Sequence, residues 1–342
     1  MLALALLLCA AQTPAAVEPP KPEELLFARV HVLGDDLTEG VGLAEQIGAP
    51  TTLADVVDGT LLFPRPPIRW HAFPTASVAP QQVRAAQDAD ASLVIALDYL
   101  VPFVYAEADS DEARVNGVGN ALKLLEPLKG TIVLGDLPDF HATLGSKKPA
   151  FTEKQLPSVA ALATINASVR AWAEPRKNVV VAPLAEMYAH VLAGEAFTIR
   201  GSTIPATWTS ELMQADRVHT YTFGSIAAWL TGLNSLCNAR RDLDASRFDW
   251  SVLSVYRRVY ASKEAERKAA EEKAIAARRL APTRPPPARP LPPDPEVQRR
   301  EEEAKRRGID VRDLERNGRD TRTDKEKKRD QNRDDGGDGG GG

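Results

Sequence analysis

The chain has 342 residues, with 43 Lys plus Arg against 47 Asp plus Glu, a net charge of −4, and 43% of its residues apolar, which is material for a sizeable core in one or two domains. The first 260 residues hold 21 basic and 28 acidic side chains, a net charge near −7, and such an acidic body excludes nucleic acid as the main partner because phosphate binding needs a clustered positive field. Two cysteines, Cys9 and Cys237, exclude a disulfide scaffold.

Residues 2–11 read LALALLLCAA and run into Gln12, Thr13, Pro14, Ala15 and Ala16, the pattern of a secretory signal peptide (1–16) cut near Ala16. The run is much shorter than the roughly 20 apolar residues that span a bilayer, so no transmembrane span is expected. The expected destination is therefore outside the cytoplasm, periplasmic or extracellular. Lipid anchoring at Cys9 is the weaker alternative, because Leu8 stands where lipoprotein signals carry a small residue. Cys237 reads as a small buried apolar residue on a helix.

Between residues 28 and 240, short β-branched runs alternate with helical periodicity. Strands are expected at 29–33, 68–73, 92–97, 131–134 and 178–182, and helices near 78–88, 111–126, 155–173, 184–193 and 219–236. This alternation predicts an α/β fold with a mostly parallel five-stranded sheet between helix layers, and it puts the chemistry at the carboxyl ends of the strands. Residues 246–280 read as a charged helical extension, solvated on most faces. Eight prolines from Pro282 to Pro295 impose an extended segment, and the mixed-charge stretch beyond ends in Asp and Gly; 281–342 as a whole is expected to be a disordered tail. Its partner is not legible.

Two segments carry chemistry. Val30-His31-Val32-Leu33 runs into Gly34-Asp35-Asp36-Leu37-Thr38-Glu39-Gly40, a strand that feeds a helix and so presents backbone N–H groups to an anion or a developing oxyanion. Asp216-Arg217-Val218-His219 places an Asp three residues before a His, where the carboxylate can orient the imidazole and stabilise its protonated form. Together these blocks resemble the SGNH, or GDSL, hydrolase family, whose first block is Gly-Asp-Ser-Leu-Thr-x-Gly and whose last is Asp-x-x-His before the final helix of a three-layer α/β/α domain. The resemblance covers about residues 28–236, with Asp36 and His219 separated by 183 positions. It implies hydrolysis of esters on lipids, acylated sugars or small molecules, with no cofactor and no metal.

The departures are specific. Asp36 stands where the family has its nucleophilic Ser, and a carboxylate has no proton to give and would form a labile anhydride with an acyl group. The Asn of the family's Gly-x-Asn-Asp block is absent after residues 92–97, where Leu97-Asp98-Tyr99 stands. The Gly of the second block is absent as well, leaving Ser77 as a loose stand-in. Loss of one oxyanion donor costs about 100- to 1000-fold in rate. The resemblance thus implies a divergent member, catalytically impaired or altered, with Asp36, Asp216 and His219 as the remnant site and Ser77 and Asp98 as cleft-lining candidates. Two alternatives stand beside it: a non-enzymatic ligand-binding or scaffold protein reusing the cleft, and a hydrolase with Asp36 as nucleophile toward alkyl halides or epoxides. Gly135-Asp136-Leu137-Pro138-Asp139-Phe140-His141 reads as a turn lining the cleft rather than a metal site. Trp70 and His71 are placed near the same cleft, His31 and His190 read as packing or surface histidines, and Trp172, Trp208, Trp229 and Trp250 as core or interface anchors.

Overall fold

The computed structural model describes residues 19–72, 75–280 and 295–307. The expected signal peptide lies outside these residues. The chain divides into two units after Ala274.

In the first unit, α1 (Pro22–Leu26) leads into β1 (Val30–Gly34), followed by three helices, α2 (Asp36–Glu39), α3 (Leu43–Ile47) and α4 (Leu53–Thr60). Then come β2 (Arg69–Ala72), α5 (Ala79–Asp88), β3 (Leu93–Ala96), α6 (Val101–Val104), α7 (Asp111–Leu125), β4 (Thr131–Gly135), α8 (Val159–Ala173) and β5 (Val179–Ala182). After α9 (Leu184–Ala193), an antiparallel hairpin of β6 (Phe197–Ile199) and β7 (Ser202–Ile204) precedes α10 (Thr209–Leu212), α11 (Thr222–Ala239) and the greater part of α12 (Val252–Leu280), whose last residues, from Ile275, belong to the second unit. The five long-range strands form one parallel sheet in the order β2-β1-β3-β4-β5. Helix α7 packs against α5 and α8, and α11 against α4 and α9. The sheet between these layers is the architecture that the resemblance implies.

Burial on both faces explains the strand sequences: β1, β3 and β4 are buried along their whole length, so Leu-Val-Ile-Ala and Thr-Ile-Val-Leu-Gly carry no polar alternation. Helix α11 is buried on nearly all sides, and Trp229 within it donates its indole N–H to Thr60 Oγ1 at 2.9 Å. Cys237 on the same helix is buried and free, as expected, and burial pushes its thiol up to about 11.

The start of α12 adds one buried face to the extension expected to be solvated on most faces. Val252, Val255 and Val259 are buried, and Lys263 bonds Asp55 on α4 at 2.7 Å. Two of those valines are separated by three residues and two by four, so they share one face of the helix. In the second unit, α13 (Pro295–Arg306) is a helix within the stretch expected to be disordered. Its Glu, Gln, Lys and Arg residues are strong helix formers with Pro at the first position, and Glu303 pairs with Arg307 one turn away. The remainder of the expected tail, 281–294 and 308–342, lies outside the described residues. No helix among the described residues is long and apolar enough to cross a membrane.

Candidate active site

The site is assembled where β1 ends. Gly34, the last strand residue, has no room for a side chain: a Cβ there would lie 1.8 Å from Asp98 Oδ1 and 2.2 Å from Thr38 Oγ1. Asp98, just past the end of the neighbouring β3, fills that space. It accepts hydrogen bonds from Asp35 N at 2.8 Å, Thr38 N at 3.1 Å and Thr38 Oγ1 at 2.6 Å. Burial pushes its carboxyl above the ordinary value, against the pull of these donors. The turn closes at Gly40, whose φ of +81° is left-handed, a conformation that favours glycine.

The second block approaches from the other end of the chain. Asp216 Oδ1 accepts from Val218 N at 3.0 Å and His219 N at 3.1 Å, a side-chain-closed turn in which Arg217 takes a left-handed φ of 58°. Two glutamines fasten this turn to the first block. Gln214 Nε2 donates to Val41 O at 2.9 Å and Thr220 O at 3.0 Å. Gln46 Oε1 accepts from both Thr222 N and Thr222 Oγ1 at the start of α11.

These supports bring Asp36, His219 and Asp216 into one hydrogen-bond sequence. His219 Nδ1 lies 2.6 Å from Asp216 Oδ2, and Nε2 lies 2.9 Å from Asp36 Oδ2. An imidazole that donates from both nitrogens is cationic. Burial opposes that charge, but hydrogen bonds to Asp36 and Asp216 and their negative charges outweigh it, pushing His219 up to about 9. Asp216 is held below its ordinary value: burial works against its ionised form, and the bonds from His219 and the turn N–H groups prevail. Asp35 goes the other way, up to about 8, through burial and then the neighbouring charges of Asp36 and Asp98.

The Asp36–His219 pair borders a narrow cleft of about 80 Å³ free volume, walled by Leu37, Val41, Val101, Phe140, Phe151 and Tyr188 among other mostly apolar side chains. Pro138 and Phe140, from the turn after β4, line it as expected. Asp136 of that turn is buried, accepting from Ala185 N at 2.8 Å and pairing with Arg170 at 2.7 Å. Asp139 pairs with His141 at 2.6 Å, and no group of three or more metal-ligating side chains occurs among the described residues.

Two expectations change, those for Ser77 and Trp70. Asp98 lines the cleft, and it is an acceptor already engaged by the N–H groups of Asp35 and Thr38. Ser77 is not among the cleft residues and bonds Thr75 Oγ1 at 2.9 Å; Ser225, which is among them, bonds Thr220 at 2.7 Å rather than His219. Trp70 is 43% exposed and lines a separate groove instead of the cleft. His31 is a packing residue stacked on His71, with its Nδ1 unpartnered. Sequence reasoning missed the cleft wall from α9 and the pairing role of Asp98. A lone Asp closing an apolar strand beside the Gly34 turn was the available signal for the latter.

No family model matches the chain, and no curated protein matches it. Solved structures do. One titled as a candidate acylhydrolase from Bacteroides fragilis shares 13% identity with a TM-score of 0.37, covering 66% of this chain and 91% of that one. A GDSL-like lipase from Bacteroides thetaiotaomicron shares 16% identity with a TM-score of 0.36, covering 67% of this chain and 94% of the lipase. A structure titled TesA shares 12% identity with a TM-score of 0.36, covering 63% of this chain and 99% of that one.

Proposed function

We propose that the protein is an exported, divergent SGNH-type protein in which ester hydrolysis by the serine route is lost and the cleft retains a small acylated ligand. The observation that carries this reading is the double hydrogen bond of His219. In the serine route the imidazole arrives neutral, with one nitrogen free to take the hydroxyl proton. Here a carboxylate on each side keeps the ring charged through neutral pH, and Asp36 has no proton to surrender. An acyl group moved onto Asp36 would be an anhydride, more reactive than the ester that supplied it. The apolar wall around the pair suits the hydrocarbon part of an acylated molecule.

A second reading rests on the 44% exposure of the Asp36 side chain beside the cleft. A carboxylate oxygen can attack an alkyl carbon, forming a C–O bond as a halide or epoxide oxygen leaves with the electron pair. The resulting ester is neutral, so His219 loses one of the two charges that hold its proton; it gives that proton to the alkoxide of an opened epoxide or, after halide departure, to solvent, and the neutral ring then accepts one from the water that attacks the ester.

The test is turnover of p-nitrophenyl esters, an acetylated sugar, an alkyl halide and an epoxide by the purified protein and by His219→Ala. The proposal expects background ester turnover from both proteins. Ester hydrolysis that disappears in His219→Ala would overturn it, and halide or epoxide turnover that disappears there would establish the second reading.

A further inference from the structure

A second concave site lies away from the cleft, between α4, the segment preceding β2 and the first half of α12. It is an open groove of about 500 Å³, several times the free volume of the cleft. Asp55 and Asp58 enter it from α4, Lys263 from α12, and Arg65, Pro67 and Trp70 from the edge of the sheet.

Its charged groups are fixed and nearly balanced. Lys263, with an 11% exposed side chain, bonds Asp55 at 2.7 Å and Glu266 at 3.1 Å. Arg65, with an 8% exposed side chain, pairs with Asp58 and also donates to the carbonyl of Pro66. Asp55 is held further by Thr52, whose N and Oγ1 both donate to its second oxygen. Two acids and two bases line the groove, so it offers no net field to attract an ion. Its hydrogen-bonding capacity is not exhausted, however. An ammonium has three N–H donors and a carboxylate about four acceptor sites, so Lys263, Asp55 and Asp58 each have capacity beyond their mutual bonds.

Beside this alternation of donors and acceptors stands the indole of Trp70, 43% exposed on the edge strand and flanked by Pro67 and Ile68. An aromatic surface next to fixed donors and acceptors suits a ligand with one apolar face and hydroxyls around its rim, each hydroxyl both giving and accepting. An anion would meet two carboxylates, and an alkyl chain would leave the ion pairs desolvated without compensation. We infer that the Trp70 groove is a binding site for a neutral saccharide, with Trp70 stacking on a sugar ring and Arg65, Lys263, Asp55 and Asp58 holding its hydroxyls. The inference is independent of what the cleft does.

Calorimetric titration of the full chain with cellotetraose, mannotetraose and chitotetraose, each to about 5 mM, tests it. At least one should bind with a millimolar or tighter Kd. Trp70→Ala should weaken binding about tenfold or more, near 1.4 kcal/mol, while Trp70→Phe retains part of the affinity and His219→Ala leaves it unchanged. Because Trp70 is exposed, its variants should keep the wild-type thermal midpoint, which separates lost binding from lost folding. Absence of binding to all three sugars, equal binding by Trp70→Ala, or preferential salt-sensitive binding of heparin would each overturn the inference.

Discussion

The cleft and the Trp70 groove both hold cations against carboxylates, and they differ in what can release the charge. In the groove the cations are Arg65 and Lys263, and Lys263 is held above its ordinary value: burial works against its charge, and the bonds to Asp55 and Glu266 prevail. In the cleft the cation is His219, whose ordinary pKa is 6.5 and whose charge depends on Asp36 and Asp216. The groove is therefore fixed in its electrostatics, while the cleft is conditional: removing either carboxylate's charge, by substitution or by covalent capture, alters the protonation of the ring. A His–Asp pair is not the same thing as a free base.

The largest effect is expected at the carboxylate beneath the cleft that neither set of cations touches. Asp98→Ala leaves Asp35 N, Thr38 N and the Thr38 hydroxyl without their acceptor, and should cost about 3 kcal/mol in urea denaturation, since each buried unsatisfied group costs about 1–3 kcal/mol. A loss below about 1 kcal/mol would mean that water replaces the carboxylate and that the strand end is less specified than argued here.

The comparison itself is sharpened by titration. The ring protons of His219 should titrate near pH 9 in NMR spectra, and Asp36→Asn should move the midpoint downward, because one of the two charges holding the proton is gone. A native pKa above the unfolded one means that this contribution to stability is complete below pH 6.5 and lost as pH rises through 9. Asp35, raised to about 8, adds a decline of the same sign between its ordinary value of 3.8 and 8. Urea stability should accordingly fall from about pH 6.5 to about pH 9.5, and less steeply in His219→Ala. By contrast, Lys263→Met should lower stability by about 1 kcal/mol without changing that slope. An altered slope would break the distinction between the two sites. The smallest effect is expected from Asp36→Ser, which supplies a nucleophile but leaves Asp98 bonded to the Asp35 and Thr38 N–H groups. Esterase activity on short acyl esters should rise less than about tenfold, and a gain of about 1000-fold would show that the oxyanion donors were never the obstacle.

The centre of the parallel sheet was legible because β1, β3 and β4 are buried along their whole length and so appear as largely apolar runs; β1, β3, β4 and β5 begin or end within a residue or so of the expected positions. The hairpin β6–β7 was not, since Thr198 and Thr203 are exposed and three-residue strands show too little alternation. Helices α2 and α3 were too short for a period to register. At the site, the Gly34–Gly40 and Asp216–His219 blocks could be read because each carries its geometry locally. Asp98 acts 60 or more positions away from the groups it binds, and sequence alone names its acidity without naming its partners.

The space at Gly34 also has a consequence for how this chain could change. A side chain there overlaps Asp98, and Asp98 holds the N–H groups of Asp35 and Thr38, so the three features of the strand end lock one another. No single codon change opens this lock. Replacing Asp98 first would pass through a destabilised intermediate, and replacing Asp36 first would bring little benefit for selection to act on. Asp98 thus works as a ratchet on mutational change, making any move to serine-type hydrolysis a route of at least two steps.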